Sequence, residues 1–147
     1  MGDPSLPRVV AVEDNPADVR LVTEAIDHAG IELDLRVINN GRRAIDRLTS
    51  IDAGAPLKHP DLILLDLNLP GKSGFEVLES IRNQTTFPDV PVVVVSSSMD
   101  CDDIAQVYER SGNAYVTKPA DPDDYIEMIG AIVDFWIPPD GQLPTND

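Results

Sequence analysis

The sequence predicts an α/β fold, a parallel sheet covered by helices on both faces, and three observations carry that prediction. Short apolar runs recur along the chain, segments of helical period separate them, and several runs end in polar or charged residues. The carboxyl edge of such a sheet is where open α/β folds hold their ligands.

The elements follow in order. A first strand is expected over 8–13, where Arg8-Val-Val-Ala-Val12 is closed by Glu13 and Asp14. A helix over 17–29 starts at Asp14 or Asn15 before Pro16 and ends at Gly30. A strand over 33–38 and a helix over 41–50 lead to the turn-rich segment from Thr49 to Pro60. The run Asp61-Leu-Ile-Leu-Leu-Asp66 reads as a buried central strand over 61–66, followed by Leu67-Asn-Leu-Pro-Gly71 and a helix over 74–84. Pro91-Val-Val-Val-Val95 delivers Ser96 at the end of a strand over 91–96, and a helix over 101–111 is closed by Gly112. Ala114-Tyr-Val-Thr117 delivers Lys118, followed by Pro119. The final helix, 122–136, carries Tyr125, Ile126, Ile129, Ile132, Val133 and Trp136 on one apolar stripe that faces the sheet. Phe135, Trp136 and Ile137 together exceed what packing needs, which predicts that part of this end forms a homodimer contact.

The strand ends define the chemistry. With both strands central, Glu13, Asp14 and Asp66 converge at one edge, where their repulsion is costly without a cation. Magnesium fits, because it prefers oxygen ligands and works beside phosphoryl groups. Ser96 can donate a hydroxyl hydrogen to a phosphoryl oxygen, and Lys118 can neutralise one as a point charge. Each residue has a plainer reading: Ser96 to Ser98 as loop serines, Tyr115 as a half-buried strand aromatic, Lys118-Pro119 as a turn.

Taken together, the acidic pair in Val12-Glu-Asp-Asn-Pro16, the Asp in Leu65-Asp-Leu-Asn-Leu-Pro70, Ser96, Tyr115 and Lys118-Pro119 resemble the two-component response regulator receiver domain. The resemblance covers nearly the whole chain and implies a flavodoxin-like, doubly wound (βα)5 sheet of strand order 2-1-3-4-5. A chemotaxis receiver is itself a standing example of that order. The resemblance implies Asp66 as phosphoacceptor, Asp14 as a direct Mg2+ ligand, Glu13 as a ligand through water and the Asn68 carbonyl as a further ligand. Lys118 would grip the phosphoryl oxygens, and Ser96 with Tyr115 would form the switch pair. A cis Lys118–Pro119 bond is expected from the family, as are self-catalysed phosphorylation and dephosphorylation, with Asn68 and Ser98 flanking the path of the hydrolytic water. The implied partners are a sensor histidine kinase or phosphotransfer protein and a downstream protein target.

Val12-Glu-Asp-Asn-Pro-Ala-Asp-Val-Arg-Leu21, Asp66-Leu-Asn-Leu-Pro70 and the extended 49–60 segment resemble the cyanobacterial phytochrome response regulator group. Three positions depart from the family pattern: Ser96 replaces the usual Thr, Ser73 an acid that is often present, and Ala120 a bulkier residue. Two other classes are weighed. A haloacid-dehalogenase-type phosphohydrolase calls for a second acid two residues after its nucleophile, where Asn68 stands. A receiver-shaped binding module that is never phosphorylated would not call for the full set of acids and lysine.

Composition sets the remaining bounds. The 147 residues carry a net charge of -15 and 42% apolar content, which suits one globular domain over 8–137 with short tails at 1–7 and 138–147. The acidity argues against nucleic acid as a direct partner and resembles a salt-adapted, halophilic archaeal cytoplasm. Arg42, Arg43 and Arg47 read as a solvated helix face. No run is long enough to span a bilayer, the start lacks a secretion signal, and the single Cys101 suits a reducing, cytoplasmic location. His28 and His59 are too far apart in sequence to suggest a metal site.

Overall fold

The computed structural model describes residues 6–51 and 59–137. The tail predicted over 138–147, most of that over 1–7, and residues 52–58 of the extended segment lie outside the described residues.

Among the described residues ten elements alternate: β1 (Arg8–Val12), α1 (Pro16–Ala29), β2 (Asp34–Ile38), α2 (Gly41–Thr49), β3 (Leu62–Leu65), α3 (Gly74–Gln84), β4 (Val92–Ser96), α4 (Cys101–Glu109), β5 (Ala114–Thr117) and α5 (Pro122–Trp136). The strands form one parallel sheet in the order β2-β1-β3-β4-β5, as the resemblance implied. Side chains alternate across it. Val10, Val12, Ile63, Leu65, Val92 and Val94 face α2, α3 and α4, while Val9, Ala11, Leu62, Leu64, Val93 and Val95 face α1 and α5. Because both faces are covered, β1, β3 and β4 read as continuous apolar runs.

The helix caps explain several boundaries. The Asn15 side chain accepts the Ala17 N–H at 2.9 Å, Pro16 supplies a pre-set φ, and Gly30 ends α1 in the left-handed region at φ 69°. Ser73 and Glu76 form a reciprocal capping box at the start of α3. On α5, Tyr125, Ile129 and Val133 are buried, whereas Phe135 is 76% exposed and packs edge-on against Trp136.

The end of α4 departs from the sequence reading. Ser111, not Gly112, adopts the left-handed conformation, at φ 64°. Ser111 N–H donates to Tyr108 O at 3.1 Å and Gly112 N–H to Val107 O at 2.9 Å, the two bonds of a Schellman stop. Gly112 serves close approach instead, since a Cβ there would lie 2.5 Å from Val107 Cγ1. Arg82 fixes the turn: its Nε and Nη2 donate to Ser111 O at 3.0 and 2.8 Å, and its Nη1 to Val90 O at 2.7 Å.

Ser111→Gly is therefore expected to stabilise the fold by about 0.5–1 kcal/mol, as relief of left-handed strain outweighs the freer unfolded chain. Gly112→Ala should destabilise it by about 1–3 kcal/mol through overpacking against Val107. Urea midpoints at unchanged m-value check both.

Candidate functional site

The site residues stand one step beyond the strands, because the parallel ladder continues past each strand end. Asp66 N–H donates to Val12 O at 3.0 Å, Glu13 N–H to Ile38 O at 3.0 Å, and Lys118 N–H to Ser96 O at 2.8 Å. In-register pairing of Val12 with Leu65 thus sets Glu13 beside Asp66. The close approach of α3 supports this edge: a Cβ on Gly74 would lie 2.4 Å from Asp66 O and 2.6 Å from Leu67 Cα. The Asn68 N–H donates to Asp66 Oδ1 at 3.1 Å, which fixes the rotation of that carboxylate.

Glu13, Asp14 and Asp66 each bring one carboxylate oxygen within 4.8 Å of the others. Such an oxygen-only set fits a hard divalent cation such as Mg2+. Glu13 and Asp66 are nearly buried, at 5% and 6% exposure, while Asp14 is exposed. An open cleft of about 540 Å3 lies over them, lined by Asp14, Asn15, Pro16, Asp18, Asp66, Asn68, Ser97 and Lys118.

The Lys118 ammonium lies inside this acidic group. Its Nζ donates to Glu13 Oε1 at 2.7 Å, Asp18 Oδ2 at 2.7 Å and Asp66 Oδ2 at 3.2 Å. Burial pulls the ammonium pKa down, but the bonds to Asp18 and Glu13 and the charges of Glu13 and Asp66 outweigh it and hold it above the ordinary lysine value. Burial and the neighbouring Asp66 charge push the Glu13 carboxyl up to about 7, against the opposing bonds from Lys118 and the Asn15 N–H. The Lys118–Pro119 bond is trans, contrary to the expectation, and trans is the form an X–Pro bond favours by about 0.5–1 kcal/mol.

Ser96 and Tyr115 lie behind the cleft. Ser96 is fully buried and its Oγ accepts the Ser98 N–H at 3.2 Å, so Ser97 lines the cleft in its place. Tyr115 is half-buried, and its hydroxyl donates to Ser98 O at 2.7 Å. One peptide segment at Ser98 thus contacts both. The Ser98 hydroxyl in turn donates to Asp103 of α4 at 2.7 Å.

Sequence reasoning missed Asp18. The signal was present in Asn15-Pro-Ala-Asp18: an N-cap followed by an acid in the first turn aims a carboxylate back over the helix start, toward the edge that holds Glu13. The other candidates stand outside the cleft. His59 approaches Thr86 Oγ1 at 3.2 Å and packs against Phe87, Cys101 is exposed, and Arg42, Arg43 and Arg47 face solvent. Among the described residues, no helix is long and apolar enough to cross a membrane.

Known proteins share both the sequence pattern and the fold. The family profile for the response regulator receiver domain matches residues 9–130. Response regulator Rcp1 of Synechocystis sp. is 37% identical, over 93% of this chain and 95% of its own. Among solved structures, the phosphorylated cyanobacterial phytochrome response regulator RcpA superposes with a TM-score of 0.84 at 37% identity, covering 95% of this chain and 99% of its own. The Mn2+-bound form of Rcp1 gives 0.82 at 36% identity, with coverage of 95% and 99%.

The raised Glu13 pKa has a measurable consequence. A carboxyl whose folded pKa lies near 7, above its ordinary 4.5, favours the folded state below 4.5 and loses that contribution as pH rises through 7. Metal-free protein should accordingly lose on the order of 2 kcal/mol between about pH 5 and pH 8, and Mg2+ should offset the loss. Below pH 7, Mg2+ binding should displace up to one proton, measured calorimetrically in buffers of different ionisation enthalpy, and Glu13→Gln should abolish the release.

Proposed function

The chain belongs to the response regulator receiver domain family, and from that premise we propose that it accepts a phosphoryl group on Asp66 from a sensor histidine kinase or phosphotransfer protein. The observation that carries this reading is the convergence of Asp66, Glu13, Asp14 and Lys118 at one sheet edge under an open cleft.

An Asp66 carboxylate oxygen attacks phosphorus in line, an O–P bond forms, and the P–N bond to the donor histidine breaks. The leaving imidazole takes a proton from solvent. No general base is needed, because a carboxylate nucleophile has no proton to give up as the O–P bond forms. The Asn68 N–H holds one Asp66 oxygen and so leaves the other for attack. Lys118, already 3.2 Å from Asp66 Oδ2, neutralises charge on the phosphoryl oxygens. Glu13, Asp14, Asp66 and the Asn68 carbonyl are the residues that would hold Mg2+, which when bound supplies charge neutralisation and orientation of the phosphoryl group. With the same groups in place, small acyl phosphates serve as donors and the acyl phosphate hydrolyses without a separate phosphatase.

Output follows from the Ser98 segment. A phosphoryl group on Asp66 offers an acceptor to the Ser96 hydroxyl, and drawing Ser96 forward disturbs the Ser98 peptide that Tyr115 holds. The surface altered is that of α4, β5 and α5, where Met99, just before α4, and Tyr108, on it, are already 75% and 51% exposed, and a downstream protein reads it. The exposed Phe135 ring at the end of α5 is the part of this surface offered to a second copy of the chain.

Two outcomes are expected. Intact mass after incubation with Mg2+ and a small acyl phosphate should show one added phosphoryl group, absent in Asp66→Asn and with chelator present. Sedimentation at high concentration should show a dimer that Phe135→Ser weakens, and a monomer in both phosphorylation states would remove the dimer proposal.

A further inference from the structure

Asp18 belongs to no part of the chemistry above, yet it makes one of the two shortest contacts of Lys118. An ammonium has three N–H donors. Here all three are engaged, by Glu13, Asp18 and Asp66, and the Asp66 contact is the longest of them at 3.2 Å. The ammonium therefore leans toward Glu13 and Asp18 and away from the proposed phosphoacceptor. A cation entering among Glu13, Asp14 and Asp66 would draw on the Glu13 carboxylate, because Glu13 is in that trio and Asp18 is not. Asp18 would then remain as the competing anchor.

Its position makes the competition local. Asp18 is in the first turn of α1, its carboxylate is only 19% exposed, and it lines the same cleft as Asp66 and Lys118. It adds negative charge where a phosphoryl dianion must enter, and it holds the Lys118 ammonium, which would offset part of that charge.

We propose that Asp18 is a positioning residue that restrains phosphoryl transfer by holding the Lys118 ammonium away from the phosphoryl oxygens. This rests on the reading of Asp66 as phosphoacceptor. While Asp18 keeps one N–H and anchors the ammonium on its own side of the cleft, Lys118 is held back from the phosphoryl oxygens, so the strength of the pair sets part of the barrier.

The experiment compares wild type, Asp18→Asn, Asp18→Glu and Glu24→Gln, the last removing one charge from the exposed face of the same helix. The rate of phosphorylation by a small acyl phosphate is measured at saturating Mg2+ in molar salt, with trifluoroberyllate affinity as an equilibrium counterpart. Asp18→Asn should raise both roughly fivefold, the ratio expected when a charge-assisted hydrogen bond gives way to a neutral one. Asp18→Glu should return toward wild type and Glu24→Gln should match it. A third readout needs no phosphorylation: the Lys118 ammonium hydrogens, followed by NMR without metal, should exchange with solvent faster in Asp18→Asn. An unchanged or slower phosphorylation rate in Asp18→Asn, an equal rise in Glu24→Gln, or an unmoved Lys118 exchange rate would each overturn the proposal. Failure of wild type to take up phosphate would instead overturn the reading of Asp66, and this inference with it. If Asp18→Asn unfolds, Asp18→Ser gives the same comparison.

Discussion

The structure depends on one ammonium placed among carboxylates that would otherwise repel one another. Lys118 begins at the end of β5, two strands away from β3, and strands in a sheet are spaced about 4.8 Å apart. Only a long side chain covers that span to reach Asp66 and Glu13, and the small Ser96 and Ser97 at the end of β4 leave it room. In a medium of intermediate dielectric, unit charges 4 Å apart interact by about 4 kcal/mol, so two buried acids without a counter-charge would open the carboxyl edge. The three Lys118 bonds tie β1, β3, β5 and α1 together at that edge. Stability and chemistry therefore draw on the same contacts, and a divalent cation added to the group relieves the acids that Lys118 cannot fully neutralise.

Much of this was legible in the chain. The strands β1, β3 and β4 announce themselves because both of their faces are covered, which makes them largely apolar, and the polar residues at their ends, Glu13 and Asp66 just past β1 and β3 and Ser96 closing β4, mark the edge. Helix starts were legible at Asn15-Pro16 because an N-cap acts through its nearest neighbours alone. Strand order was not, since alternation fixes only that connections cross over, and it came from family resemblance.

What escaped depended on contacts distant in sequence. Asp18 lies 100 residues from Lys118: its place after the Asn15 cap marks a carboxylate at the start of α1, but only the fold shows that the ammonium it meets is that of Lys118. Gly112 looked like the stop of α4 because glycine favours positive φ, but the Val107 side chain occupies the space a Cβ would need, so glycine serves the close approach and Ser111 takes the strained position. The carbonyl this turns outward is held by two Arg82 bonds, which a reading of α4 alone could not supply. Ser96 is the last residue of β4, but which way its hydroxyl points depends on the Ser98 N–H.

The Ser98 segment also bears on how a local charge could move a distant surface. Its N–H is held by Ser96, its carbonyl by Tyr115 and its hydroxyl by Asp103 of α4, so β4, β5 and α4 meet at one residue. Each bond is of ordinary strength, a net ~1 kcal/mol, with the Asp103 contact stronger because its acceptor is charged. Loss of the Ser96 contact alone would leave Ser98 anchored on two sides. A full rearrangement requires the Tyr115 hydroxyl to release as well, and that release frees the ring. The rearrangement is thus expected to need both bonds to break, because Ser98 stays anchored until the Tyr115 hydroxyl releases as well. A serine at 96 fits this arrangement: its hydroxyl bonds Ser98, and it lacks the β-methyl that would stiffen its rotation at a fully buried position.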